Sequence, residues 1–231
     1  MTRTLLATVA DASDGWVGSW SPGIGDPTFI GWFTVVAYLV TAGLCWRAFR
    51  RVDQKGPRHE AGAGAVMLAT LIVAIAGAKR RVLAIPVRDR IRALWLVLSV
   101  FLLLLGINKQ LDLQTALTEW GRMMAHSEGW YESRRIVQLA FIAAVILVGL
   151  VALRAVLLLA HGGVGLRSVV GGVVFLACFV VIRASSFHHV DRLLGYDIGN
   201  IRLNWVFELG GIAFIAVGAY RQTARRSPAA T

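Results

Sequence analysis

From Ile136 to Ala160 the chain carries one charged residue, Arg154, in twenty-five positions. Nothing else in the sequence restricts the fold as strongly. A helix needs ~20 apolar residues, within a range of ~17–25, to cross the hydrocarbon layer of a bilayer. In water the same helix would have to be covered on every side, which a chain of 231 residues has too little core to do. The run also has company. Phe29–Trp46, Ala93–Ile107, Ser168–Ile182 and Trp205–Tyr220 carry a single charge between them, Glu208. The shorter stretches are extended by Arg92, Asn108 and Arg183, whose polar ends can snorkel out of the apolar layer. Composition agrees: 57% of residues are hydrophobic, 16% are charged, and mean hydropathy is +0.65. A soluble domain carries roughly 25% charge. Disorder and a disulfide-stapled secreted fold are excluded on the same grounds. The expected fold is all-α, a polytopic transmembrane helix bundle.

A sixth stretch, Gly62–Ala78, is apolar, small-residue-rich and flanked by basic clusters. Cytoplasmic loops of membrane proteins collect Lys and Arg, so charge counting can arbitrate. Six spans divide the basic residues twelve and twelve. Five spans with the N-terminus outside place sixteen inside and eight outside. The expectation is therefore five full spans, with Gly62–Ala78 re-entrant or lying at the cytoplasmic face, and a sixth span as the alternative. Residues 1–28 are then an extracytoplasmic segment, 29–220 the bundle, and 221–231 a cytoplasmic basic tail. The apolar stretch Leu5–Ala10 is too short for a signal peptide. Trp16 and Trp20 are placed to dip into a headgroup layer, and Trp32, Trp46, Trp95 and Trp205 to sit at span ends. The net charge of +11 reflects this loop bias. It forms no aromatic-interleaved stripe of the kind that binds nucleic acid, and no nucleic-acid partner is expected. Cys45 and Cys178 lie within apolar runs and form no CxxC pair.

This topology gathers the unusual polar residues at the outer face. Asn108, Lys109, Gln110 and Asp112 leave the second full span; Glu132, Arg134, Arg135 and Gln138 lead into the third. Ser185, Ser186, His188, His189 and Asp191 leave the fourth, and Asn200, Arg202, Asn204 and Glu208 lead into the fifth. Leu113, Leu117, Trp120 and Met124 recur at helical spacing, with Thr115, Glu119, Arg122 and His126 on another face. This predicts an amphipathic helix lying in the outer interface. Candidate ligand-binding residues are Asn108, Lys109, Asp112, Arg135 and Asn204. Glu208 is costly inside a span and should face the bundle and find a partner. Arg183, Arg202, Lys109 and the histidines lie on the correct side to supply one. In Arg183-Ala-Ser-Ser-Phe-His-His-Val-Asp-Arg192, a continued helix would set His188 three residues from Asp191. A carboxylate-held imidazole suits a metal ligand or a general base. His188 and His189 are candidate metal ligands, with zinc as the candidate ion, and Glu208 and Asp191 are candidate catalytic carboxylates.

The stretch Gly106-Ile-Asn-Lys-Gln-Leu-Asp-Leu-Gln114, then Gly129-Trp-Tyr-Glu-Ser-Arg-Arg135, Ser186-Phe-His-His-Val-Asp191 and Leu203-Asn-Trp-Val-Phe-Glu-Leu-Gly-Gly211, resembles a family of uncharacterised bacterial multi-pass inner-membrane proteins. The resemblance covers about residues 94–211. It implies a bacterial inner-membrane location and carries no activity. Ser185-x-x-x-His189 with Asp191 is more distantly similar to the alkaline ceramidase and progestin-type receptor superfamily, but that group's later His-x-x-x-His is missing here. Two functions follow as expectations. In the first, the outer polar cap binds a ligand, or docks a partner membrane subunit or a second copy. The alternative is a membrane-embedded, metal-assisted hydrolase acting on a lipid or lipid-linked substrate at the outer leaflet.

Overall fold

The protein is described by a computed structural model covering residues 15–17, 19–24, 26–54, 62–76, 79–127, 134–163, 165–185 and 203–224. Among these residues there are eight helices and no strand. They are α1 (Phe29–Asp53), α2 (Ala63–Ala76), α3 (Lys79–Leu83), α4 (Val87–Leu111), α5 (Leu113–Ser127), α6 (Arg134–Ala160), α7 (Arg167–Ser185) and α8 (Leu203–Ala224). Among the described residues three segments, Phe29–Val52, Val87–Leu111 and Leu139–Ala160, are long and apolar enough to cross a membrane.

Local chemistry sets the helix ends. Thr28 opens α1 by accepting the Gly31 N–H on its hydroxyl oxygen, one of the donors a helix start leaves unpaired. The helix continues past Trp46, where the apolar run stops, to Asp53, because Arg50 and Arg51 suit the negative end of its dipole. Similarly, α4 starts at Val87, immediately after Pro86, six residues ahead of its apolar run. That early start moves Trp95 off the helix end. It is fully buried in the core instead of lying at an interface.

Helices α1 and α4 form the most extensive pairing and run antiparallel. Asp26 and Gln110 exchange hydrogen bonds at one end. The Ser99 hydroxyl donates to the Ala42 carbonyl midway (3.0 Å), and Arg88 Nε donates to the Val52 carbonyl at the other end (3.2 Å). The remaining long helices follow the same axis. Lys109 meets Glu208 at one end of α8, and the Arg51 guanidinium donates to the Thr223 carbonyl at the other. Arg90 donates to the Leu158 carbonyl in the last turn of α6, while Arg183, near the end of α7, meets Asp112. Thus α1, α4, α6, α7 and α8 run alternately between a Lys109 end and an Arg90 end. The end of α1 and the start of α4 lie together, so α2 and α3 leave and return at the Arg90 end. Val73 of α2, Val82 of α3 and Leu158 of α6 share a small apolar cluster there. Arg47, Arg50, Arg51, Arg88, Arg90, Arg92 and Arg221 lie toward the same end.

The core lies between α1, α4, α7 and α8, where Tyr38, Cys45, Leu98, Leu102, Leu176 and Ile215 are all buried. The outward faces stay apolar: Leu139, Leu147, Val148, Leu150 and Phe214 are exposed. Large exposed side chains of this kind, on helices of this length, are compatible with an integral membrane protein. Between apolar helices in lipid there is no water-driven attraction, so close packing has to supply it. Gly172 and Gly211 provide that packing for α7 and α8. A Cβ on Gly172 would lie 2.7 Å from the Gly211 carbonyl oxygen, and one on Gly211 would lie 2.9 Å from that of Gly172. Gly171, its neighbour, has nothing within 4 Å of such a Cβ. Gly172→Val should therefore destabilise the fold by about 1–3 kcal/mol through forced separation of the two backbones. Gly171→Val should leave the melting temperature in detergent nearly unchanged.

Candidate functional site

The polar residues at the Lys109 end are assembled from four helices. On α4, Asn108, Lys109 and Gln110 occupy the last turn, and Asp112 follows with a left-handed backbone (φ 46°). Aspartate tolerates that conformation better than most side chains. It breaks α4 and launches α5 in a new direction. The corner is tied by the Leu113 N–H donating to Asn108 Oδ1 (3.3 Å) and by the Thr115 hydroxyl donating to Asp112 Oδ2 (2.6 Å).

Beneath this corner lies a buried ion pair. Lys109 Nζ donates to Glu208 Oε2 at 3.1 Å, and the Tyr38 hydroxyl donates to Glu208 Oε1 at 3.3 Å. Glu208 is 1% exposed and Lys109 11%. Both carboxylate oxygens are thus engaged, each by a different helix. Tyr38 reaches Glu208 because α1 and α4 approach closely at Gly106, where a Cβ would come 3.0 Å from the Tyr38 Cβ. Nearer the surface is a second pair, Arg183 Nη2 to Asp112 Oδ1 at 3.2 Å, with 39% and 31% of the two side chains exposed. The segment before α1 closes the flank. Trp20 Nε1 donates to the Leu111 carbonyl (3.1 Å), one of those left open at the end of α4. Trp20 is therefore held by the helix end, while Trp16 is exposed.

Asp26, on the same segment, bonds the Thr28 hydroxyl (2.6 Å). That bond does most to hold its carboxyl below the usual 3.8; desolvation opposes it, and the Thr28 N–H and the charges of Lys109 and Arg183 add to the lowering.

These groups surround a cavity of about 280 Å³. Its polar lining is Tyr38, Asn108, Lys109, Arg183 and Glu208; its apolar lining is Leu105, Leu113, Leu117, Phe141, Val145, Phe179 and Val180. One end can therefore hold a polar group and the rest an apolar body.

Of the residues singled out in the sequence, Asn108, Lys109 and Glu208 line this cavity, and Asp112 holds Arg183 beside it. Asn204 lies one turn before Glu208, with its Oδ1 buried and accepting no hydrogen bond among the described residues. Arg135 is in the first turn of α6, and its side chain is outside the described residues. His188, His189 and Asp191 also lie outside them. Among the described residues no three His, Cys, Asp or Glu side chains gather to hold a metal ion. Sequence reasoning missed Tyr38 and Asp26, and it gave Trp20 a headgroup position in place of its bond to the end of α4. Tyrosine prefers membrane interfaces, so one placed nine residues into an apolar run was the available signal. No family model, curated protein or solved structure matches the chain.

Two predictions follow from this geometry. Lys109→Met or Glu208→Gln alone strands a buried partner and should cost about 3–5 kcal/mol for Lys109→Met, somewhat less for the uncharged amide. The double variant should be closer to the parent than the Lys109→Met single, and a double-mutant cycle on unfolding in detergent measures the difference. Asp26 has its carboxyl lowered on folding, so its contribution is complete above the unfolded value and fades as the pH falls through the folded one. Asp26→Asn should flatten the pH dependence of the melting temperature below about pH 4 and leave that dependence unchanged near neutrality.

Proposed function

We propose that the protein is a multi-pass component of a bacterial inner membrane that binds a ligand in the cavity at its extracytoplasmic end. The observation that carries this reading is the Lys109–Glu208–Tyr38 cluster beneath a mixed polar and apolar cavity. Burying two charges is expensive, and apolar residues of similar size would often hold helices together as well. Retaining the pair where a cavity meets it favours recognition over scaffolding. Asn108 and Arg183 stand at the polar side of the same cavity, and the sidedness of their helices makes the set a cap at one face. Docking of a partner subunit or second copy on that cap is the outcome to be expected if the cavity proves closed.

In this reading α1, α4, α6, α7 and α8 are the five spans. At 1.5 Å per residue, α7 and α8 extend about 28 and 33 Å, matching a hydrocarbon layer of ~30 Å. Helix α2 is too short for that layer at about 21 Å, and it is read as lying at or dipping into the cytoplasmic side with α3. The arginine-rich end faces the cytoplasm, as the preference for basic loops requires. The N-terminal segment and α5 are then outside.

Two cysteine experiments test this, in a Cys178→Ala background. On intact cells an impermeant maleimide should label Glu119→Cys and spare Lys79→Cys; the reverse pattern overturns the orientation. In delipidated protein a small charged thiosulfonate should reach Val180→Cys, in the cavity lining. Complete protection of Val180→Cys in folded, delipidated protein overturns the ligand reading and favours docking.

A further inference from the structure

We infer that the cavity takes its ligand sideways from the bilayer, and that this ligand is a zwitterionic lipid seated with its apolar chain between α6 and α7. The inference rests on the preceding reading that the cavity binds a ligand, and adds its source and chemical class.

Three observations carry it. The first is α5. This helix has an apolar stripe and a polar one, and it makes only sparse contact with the other described helices. Leu113, Leu117, Trp120 and Met123 on its apolar side are each about half exposed. Leu113 and Leu117 nevertheless line the cavity. The same stripe therefore faces both the cavity and the surroundings, so the roof is apolar on the inside and continuous with an apolar exterior. In a membrane that exterior is the outer leaflet, where such a helix lies in the interface.

The second observation is the wall. Phe141 and Val145 of α6 face Phe179 and Val180 of α7 across the cavity. Nearby on α6, Ile136, Val137 and Leu139 are exposed to the outside. A hydrocarbon chain can pass from that outer surface onto Phe141 and Val145 without leaving apolar surroundings. A water-soluble ligand would gain nothing from this side.

The third is the charge at the mouth. Lys109 has Glu208, and Arg183 has Asp112. A headgroup with net charge would have to compete with one of these pairs. A zwitterion exchanges with the Arg183–Asp112 pair and leaves neither charge unmatched: its phosphate can meet the partly exposed Arg183 while its ammonium meets Asp112. An ion pair lying at a surface is weakly held, so exchange of this kind is accessible.

The test uses the full-length protein in nanodiscs containing a phosphoethanolamine lipid or a phosphoglycerol lipid, each with a diazirine on the acyl chain. After irradiation, adducts are mapped by mass spectrometry. Adducts at Phe141, Val145, Phe179 and Val180 should form, and should be richer with the phosphoethanolamine probe. Adducts at the outward Leu147 and Val148 should form equally with both and serve as the internal standard. Val145→Trp fills the cavity and, with the parent's melting temperature retained, should remove the inner adducts while the outer ones remain. Asp112→Asn keeps a side chain that tolerates the left-handed corner and removes a negative charge from beside Arg183. It should shift the inner adducts toward the phosphoglycerol probe. Equal or reversed headgroup preference in the parent overturns the zwitterion assignment. Outer adducts without inner ones overturn the lipid source. In that case labelling of Val180→Cys in delipidated protein separates the two failures: a labelled cysteine leaves a ligand cavity fed from solvent, and a protected one removes the cavity reading as well.

Discussion

The Lys109–Glu208 pair is the interaction on which the arrangement of the site depends. It joins α4 to α8, and the Tyr38 hydroxyl brings in α1 through the same carboxylate. Three helices distant in sequence are thus fixed in register at one point. A carboxylate and an ammonium removed from water each lose several kcal/mol of hydration, which their mutual attraction offsets only with good geometry. The pair therefore tolerates little sliding of α8 against α4. The close approach of α1 and α4 at Gly106 serves the same end, because it determines how deep Tyr38 stands.

Elsewhere the helices are held by means that suit apolar surroundings on both sides. Backbone contact at Gly172 and Gly211 joins α7 to α8. Single hydrogen bonds to helix-end or mid-helix carbonyls tie the others: Ser99 to Ala42, Arg88 to Val52, Arg90 to Leu158 and Trp20 to Leu111. Three of these four donors are side chains placed at an end of α1, α4 or α6. Carbonyls in the last turn of a helix lack an internal partner, so cations and indole N–H groups there satisfy the backbone as well as linking elements. The Arg90 end is accordingly rich in arginine for two reasons, helix capping and, in the proposed topology, sidedness. Among the described residues, the Lys109 end has two ion pairs, an apolar-walled cavity and a helix, α5, in sparse contact with the other helices.

Much of the fold was legible in the sequence. The apolar runs located all five long helices, and the spacing of Leu113, Leu117 and Trp120 located α5. Helix ends were less legible. α1 and α4 run beyond their apolar stretches because capping and arginine side chains, not hydropathy, determine where they stop. Trp95 shows the consequence: a residue that hydropathy places at a span end is fully buried. At the site, the expectation that Glu208 needs a partner was sound, because an unpaired carboxylate among apolar helices is too costly to keep. Which cation would fill that role was open among Lys109, Arg183, Arg202 and the histidines. Tyr38 left only the faint trace of an interfacial residue type in an interior position.

The sequence by itself determined that the chain is helical, that its helices are apolar around much of their surface, and that the charged residues unable to escape to water must pair. These are consequences of composition and period, and each holds for a segment taken alone. Only the tertiary structure decided that Lys109 takes Glu208 while Arg183 takes Asp112, that Val73 of α2 packs with α3 and α6, and that a cavity remains between α6 and α7 beneath α5. Those outcomes depend on crossing angles and register between helices far apart in sequence. Small residues such as Gly106, Gly172 and Gly211 permit that register by letting backbones touch, but a glycine does not specify which backbone it will meet.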